Sequence, residues 1–237
     1  MDGNVTPISL ARPPAGGESA VKHRSAERFT LMLRVAKLVS SHGEYACVIR
    51  DVSATGVRLR LFHRLPAEKR LALMLANGEC YFIENVWENE REAGFQFSAR
   101  IDVAAFIQES SRHPKRQVRL ALELPANLAT REISTPIVIR DLSQHGARIE
   151  SARALMVDQH LRLKAEHLPE IFATVRWKRG PDHGLVFQNG FRLDELAQIA
   201  WKVAEPAEIA TQHAAQLMAA KFAEAPALPT ASNLRAG

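Results

Sequence analysis

Cysteine is nearly absent: Cys47 and Cys80 are the only two in 237 residues. Both stand in apolar, strand-like surroundings and read as buried free thiols of a reducing compartment, which excludes a disulfide scaffold. Aromatic residues make up 6% of the chain, too few for the successive stacking platforms of a barrel that binds single strands. No apolar run approaches the ~18 residues of a membrane span. The N-terminus also lacks the charged-then-apolar order of a secretory leader, so a cytoplasmic setting is expected. Gly-x-x-x-x-Gly-Lys, Gly-x-Gly-x-x-Gly, His-Glu-x-x-His and Cys-x-x-Cys are all missing, and the nine histidines follow no metal-like spacing. A non-enzymatic protein without metal or cofactor is the expectation.

What is present is an ordinary globular composition, 46% hydrophobic and 24% charged, with a basic balance of +5. The basic residues are 23 arginines against 8 lysines. The planar guanidinium fork suits phosphate and guanine acceptors better than an ammonium does, so the charge points to an anionic partner without choosing one.

The chain repeats itself. Asp51, Gly56, Trp87 and Gly94 return 90 residues later as Asp141, Gly146, Trp177 and Gly184. Strand patterns are expected near 29–38, 44–50, 57–62, 71–76, 79–87 and 93–98, followed by a short helix at 102–109. The second copy places them near 117–124, 134–140, 147–150, 159–164, 169–178 and 184–188, with a helix at 193–204. Six short strands per copy suffice for a small closed barrel with its helix packed on it. The boundaries follow: a disordered arm at 1–20, barrels at 21–109 and 110–204, and at 205–237 an Ala-rich helical extension and disordered tail.

Each copy carries Asp-x-Ser-x-x-Gly between two strands, as Asp51, Ser53 and Gly56 and as Asp141, Ser143 and Gly146. This composition yields such a match about 0.02 times by chance. Asp and Ser cap their own backbone in a tight loop, and Gly accepts a positive φ there. Arg-x-x-x-Arg occurs three times, and its spacing is commonplace in so arginine-rich a chain. Arg24/Arg28 and Arg112/Arg116 precede the first strand of each copy; Arg60/Arg64 follows the Asp, has no counterpart and reads as a solvated strand face. The second pair stands two residues farther from its Asp. An even insertion in the first hairpin accounts for this and keeps every side chain on its face. Trp87 and Trp177 read as barrel packing or a lid rather than ligand contacts.

Two cations, a carboxylate, a hydroxyl and a glycine match a guanine nucleotide: an Arg fork takes N7 and O6, and the carboxylate takes the N–H edge. Arg-x-x-x-Arg ahead of a small barrel, then Asp-x-Ser-x-x-Gly some two dozen residues later, resembles the PilZ domain family over residues 22–109 and 110–204. The resemblance implies binding of the bacterial second messenger cyclic di-GMP. Arg24 and Arg28 would clamp guanine and phosphate from a mobile loop, and Asp51, Ser53 and Gly56 would form the barrel wall. Arg112, Arg116, Asp141, Ser143 and Gly146 would repeat those roles. With 110–116 also the linker, ligand would set how the barrels face each other, a signal read by a partner protein. A basic barrel binding RNA or single-stranded DNA and a ligand-free adaptor are the alternatives.

Overall fold

The computed structural model describes residues 28–108, 117–129, 134–206 and 209. The first unit contains β1 (Arg28–Val39), β2 (Glu44–Ser53), β3 (Gly56–Arg60), β4 (Arg70–Met74), β5 (Cys80–Glu88), β6 (Glu92–Phe97) and α1 (Val103–Gln108). The second contains β7 (Arg119–Ala129), β8 (Ser134–Ser143), β9 (Gly146–Glu150), β10 (His160–Ala165), β11 (Ile171–Arg179) and β12 (Asp182–Phe187). Helix α2, residues 193–206, follows. Each unit is a closed antiparallel barrel with the same order, β1-β2-β3-β6-β5-β4 and β7-β8-β9-β12-β11-β10. The arm, the extension beyond α2 apart from Ile209, and Arg24, Arg112 and Arg116 lie outside the described residues.

Alternation builds the barrels. In β3, Val57 and Leu59 are buried while Arg60 faces out; in β10, Leu161 and Leu163 point in. Tight turns sit where glycine takes a positive φ, +92° at Gly78 and +59° at Gly180. Closure uses only the far end of each long first strand: β1 pairs with β4 at Lys37–Val39, and β7 with β10 at Ala126–Ala129. The near ends pair on one side alone, with β2 and β8, and so run out beside the motif.

Both helices close barrel ends. Phe106 of α1 is fully buried against Phe97 and Tyr81. The Arg34 guanidinium donates to the Phe106 and Ile107 carbonyls at 2.7 and 2.8 Å, satisfying orphan acceptors of the last helical turn. On α2, Leu196, Ala197, Ile199 and Ala200 join the second core, while Ala204 joins the first. Trp201 stacks on His63 of the first unit at 4.8 Å and 7°, with the buried Tyr45 ring 5.5 Å away. The Gln198 amide donates to the Phe62 carbonyl. Glu44, held by Lys37 at 2.8 Å, accepts the Ala121 N–H at 2.7 Å. Direct packing therefore joins the barrels, in addition to the chain between them.

Three expectations change here. Asp51, Ser53, Asp141 and Ser143 belong to strands, and only residues 54–55 and 144–145 turn. The first-hairpin turns are equally long, four residues between Val39 and Glu44 and four between Ala129 and Ser134, so the second turn carries no two-residue insertion. Cys47 is buried as expected, but Cys80 opens β5 exposed.

Candidate functional site

Three irregularities in each barrel fall on one row. Between Ile49 and Asp51 the β2–β3 ladder skips Arg50, so Ile49 faces Leu59 while Asp51 faces Arg58. Without this bulge, Asp51 would share the inner face with Ile49; the extra residue turns it outward. Between Asn85 and Trp87 the β5–β6 ladder skips Val86 and sets Trp87 across from Gly94. The β1–β2 register slips between Thr30 and Arg34 at the same level. Thr30, Asp51, Arg58, Gly94 and Trp87 are thus successive register partners across five strands. Ala121, Asp141, Arg148, Gly184 and Trp177 repeat the row.

Each aspartate in the row is ion-paired and largely buried. Arg58 Nε donates to Asp51 Oδ2 at 2.6 Å and reaches Glu92 at 3.3 Å. Arg148 Nε donates to Asp141 Oδ2 at 2.7 Å, and Arg119 takes Oδ1 at 2.9 Å. Each tryptophan lies over the glycine it faces. A Cβ on Gly94 or Gly184 would meet the indole nitrogen at 2.1 or 1.9 Å. The two tryptophans remain 43% and 40% exposed, so they cover the outer wall and do not enter the core.

The rest of the motif builds the turn. Ser143 Oγ donates to the Gly146 carbonyl at 3.0 Å; Ser53 Oγ donates to Gly56 O at 3.3 Å and accepts the Gly56 N–H at 3.2 Å. The motif glycines do not supply a positive φ, which among described glycines belongs to Gly78 and Gly180. Their need is steric. A Cβ on Gly56 would stand 2.7 Å from the Phe95 carbonyl oxygen, and one on Gly146 2.2 Å from that of Leu185.

Arg28 opens β1 directly across from Ser53, rather than lying in a loop. Across from Ser143 stands Arg119, so Arg119, and not Arg116, holds the register place of Arg28. The first-strand bulge spans residues 31–33 in β1 but 122–123 in β7. That one residue, with the three from Arg116 to Arg119, accounts for the two-residue offset. Arg58, Arg148 and Arg119 were not singled out from the sequence. The first two had a signal there, since they stand 90 residues apart, two beyond each motif glycine.

The rows differ in their surroundings. Where the first barrel has Arg60, the second has Glu150, which binds Arg140 at 2.7 Å with Glu123 at 3.2 Å. Arg50, the counterpart of Arg140, has Glu92 at 3.8 Å. Among the described residues no cluster of His, Cys, Asp and Glu could hold a metal ion, and no helix is long and apolar enough to cross a membrane.

The family model described as PilZ domain matches residues 22–113 and again 110–205. No curated protein sequence matches the chain. Among solved structures, the chain is similar to the Borreliella burgdorferi PlzA protein in complex with c-di-GMP, with 13% identity, 76% of this chain and 95% of that one covered, and a TM-score of 0.30. The Bacillus subtilis inhibitor of motility MotI/DgrA shares 13% identity, with 73% and 97% covered and a TM-score of 0.32. Escherichia coli YcgR in complex with c-di-GMP shares 11%, with 80% and 88% covered and a TM-score of 0.27.

Proposed function

The chain belongs to the PilZ family, and from that premise we infer that it is a non-enzymatic cyclic di-GMP receptor with one site per barrel, in units 21–109 and 110–204. The observation that carries this reading is the doubled row: an outward carboxylate paired with arginine and a half-exposed tryptophan, with the first strand entering beside it. The Asp51 and Asp141 carboxylates take the N–H edge of guanine, and Arg24, Arg28, Arg112 and Arg116 take its N7 and O6 or the phosphates. Ser53, Gly56, Ser143 and Gly146 act through the shape of the turn. Arg58 and Arg148 are positioning residues that fix the carboxylate.

The second site has a further step. Both Asp141 oxygens are engaged, by Arg119 and Arg148, so an incoming guanine displaces Arg119 from Oδ1 and frees it for phosphate. Ala121, beside Asp141 in the row, donates its N–H to Glu44 of the first barrel. Occupancy at Asp141 therefore bears on the contact between barrels, and a partner protein in the bacterial cytoplasm reads the change.

The three tryptophans supply the test through the indole N–H signals of ¹⁵N-labelled protein. Saturating cyclic di-GMP moves the Trp87 and Trp177 signals, and Asp51→Ala freezes Trp87 alone. If both stay in place at saturation, the ligand does not occupy these rows.

A further inference from the structure

The Arg60/Arg64 pair takes no part in the rows. Arg60 ends β3 on its outer side, with its guanidinium 5.7 Å above the Phe62 ring. Arg64 is exposed in the following loop. Together with Arg91 from the β5–β6 turn and Arg192 just ahead of α2, they line a cleft of about 530 Å³ between the two units. Glu90 and Asp194 are its acidic lining residues; four guanidiniums against two carboxylates leave a formal charge of +2. Arg192 is paired with Asp194 at 3.2 Å. Among the described residues, the side chains of Arg60, Arg64 and Arg91 have no carboxylate partner.

The barrel itself does not require these arginines. Their counterparts 90 residues on are Glu150, Ala154 and Pro181, and there Glu150 neutralises the neighbouring Arg140. Like charges gathered in excess of their counter-charge oppose the folded state and raise the local concentration of anions in a cleft. The contact with Phe62 limits the rotamers of Arg60, so less freedom is lost when a ligand binds.

We propose that this cleft binds a small anion bearing a phosphate group with two or more negative charges. Arginine forks match phosphate oxygens bidentately, and the volume lies in the range of small-ligand sites. Two net charges converging in one cleft suit a single phosphate or diphosphate better than the spaced single charges of an acidic peptide. The first barrel supplies Arg60, Arg64 and Arg91 and the second unit supplies Arg192, so the anion bridges the two units. Neither Asp51 nor Trp87 lines the cleft, and the proposal stands independently of cyclic di-GMP.

The test is calorimetry on the full chain with two probes, pyrophosphate and adenosine diphosphate, without cyclic di-GMP. Saturable binding at one site is expected. It weakens at least about tenfold in Arg60→Ala and in Arg91→Ala, while their unfolding midpoints without ligand do not fall. It persists in Asp51→Ala/Asp141→Ala. Equal binding of both probes assigns the site to the phosphate group alone; preference for the nucleotide assigns a base contact as well. Three results overturn the proposal: no saturable binding of either probe at millimolar concentration, equal binding by Arg60→Ala/Arg91→Ala, or tighter binding of hexaglutamate than of both probes.

Discussion

Gly146→Ala separates a structural motif glycine from one reserved for a ligand. The added methyl would lie 2.2 Å from the Leu185 carbonyl oxygen, whereas in Gly56→Ala the oxygen of Phe95 is 2.7 Å away. Both obstacles are backbone atoms of the paired strand, so neither can turn aside as a side chain can. Relief requires β9 and β12 to part by roughly 1 Å, straining the ladder bonds on either side. Overpacking of this kind costs about 1–3 kcal/mol. The shorter contact belongs at the upper end, about 3 kcal/mol, and Gly56→Ala at about 1–2 kcal/mol. For a chain of this size, 1 kcal/mol lowers the midpoint by roughly 2–4 °C, so Gly146→Ala should melt about 6–12 °C below the parent. Urea unfolding followed by circular dichroism measures the difference directly. If glycine served only ligand approach, alanine would leave stability unchanged or improve it slightly by restricting the unfolded chain. An unchanged midpoint for Gly146→Ala, or a larger loss for Gly56→Ala, would refute the steric reasoning.

Further outcomes follow from the same geometry. Glu150→Arg replaces the counter-charge of Arg140 with a cation; two charge units acting on a dianion about 10 Å away amount to about 1.7 kcal/mol in water. The second site should therefore bind cyclic di-GMP roughly tenfold tighter at low salt, with most of the gain lost at ~0.15 M; calorimetry at both ionic strengths reads it, and no gain at low salt argues against ligand at Asp141. Trp201→Ala removes the stack on His63 and the cover over Tyr45, costing about 2–3 kcal/mol for a partly buried ring, measured by urea unfolding; an unchanged midpoint contradicts a shared α2. Burial pushes the Cys47 thiol far above the usual range. A thiol reagent at pH 8 should thus label Cys80 alone in the native protein and both in urea, as mass spectrometry counts; two labels on the native chain contradict the burial.

The periodic elements were legible. Alternation along Val57, Leu59 and Leu61 and the 90-residue echo located the strands and both barrels, because a repeated apolar period reports the inner face directly. The bulges were not legible. One extra residue at Arg50 or Val86 reverses inside and outside beyond it, so alternation alone sends Asp51 and Trp87 into the core. Nor was the double role of α2: Trp201 and Ala204 sit on a helix whose stripe reads as packing on its own barrel, and nothing local to 193–204 reveals a second one. The steric demand on Gly56 and Gly146 comes from carbonyls some 40 residues away, which a turn motif conceals. Ser53 and Ser143 were read more fully, since capping their own turn was one of their two expected roles.

The central claim is that two unequal rows each take cyclic di-GMP. Calorimetric titration of the full chain with cyclic di-GMP addresses it most directly. The account predicts two binding events of different affinity, the tighter one at the first row, which has Arg60 where the second has Glu150, lost in Asp51→Ala while the weaker one persists. Absence of heat at about 50 µM protein and ligand, across temperatures that exclude a vanishing enthalpy, would contradict it.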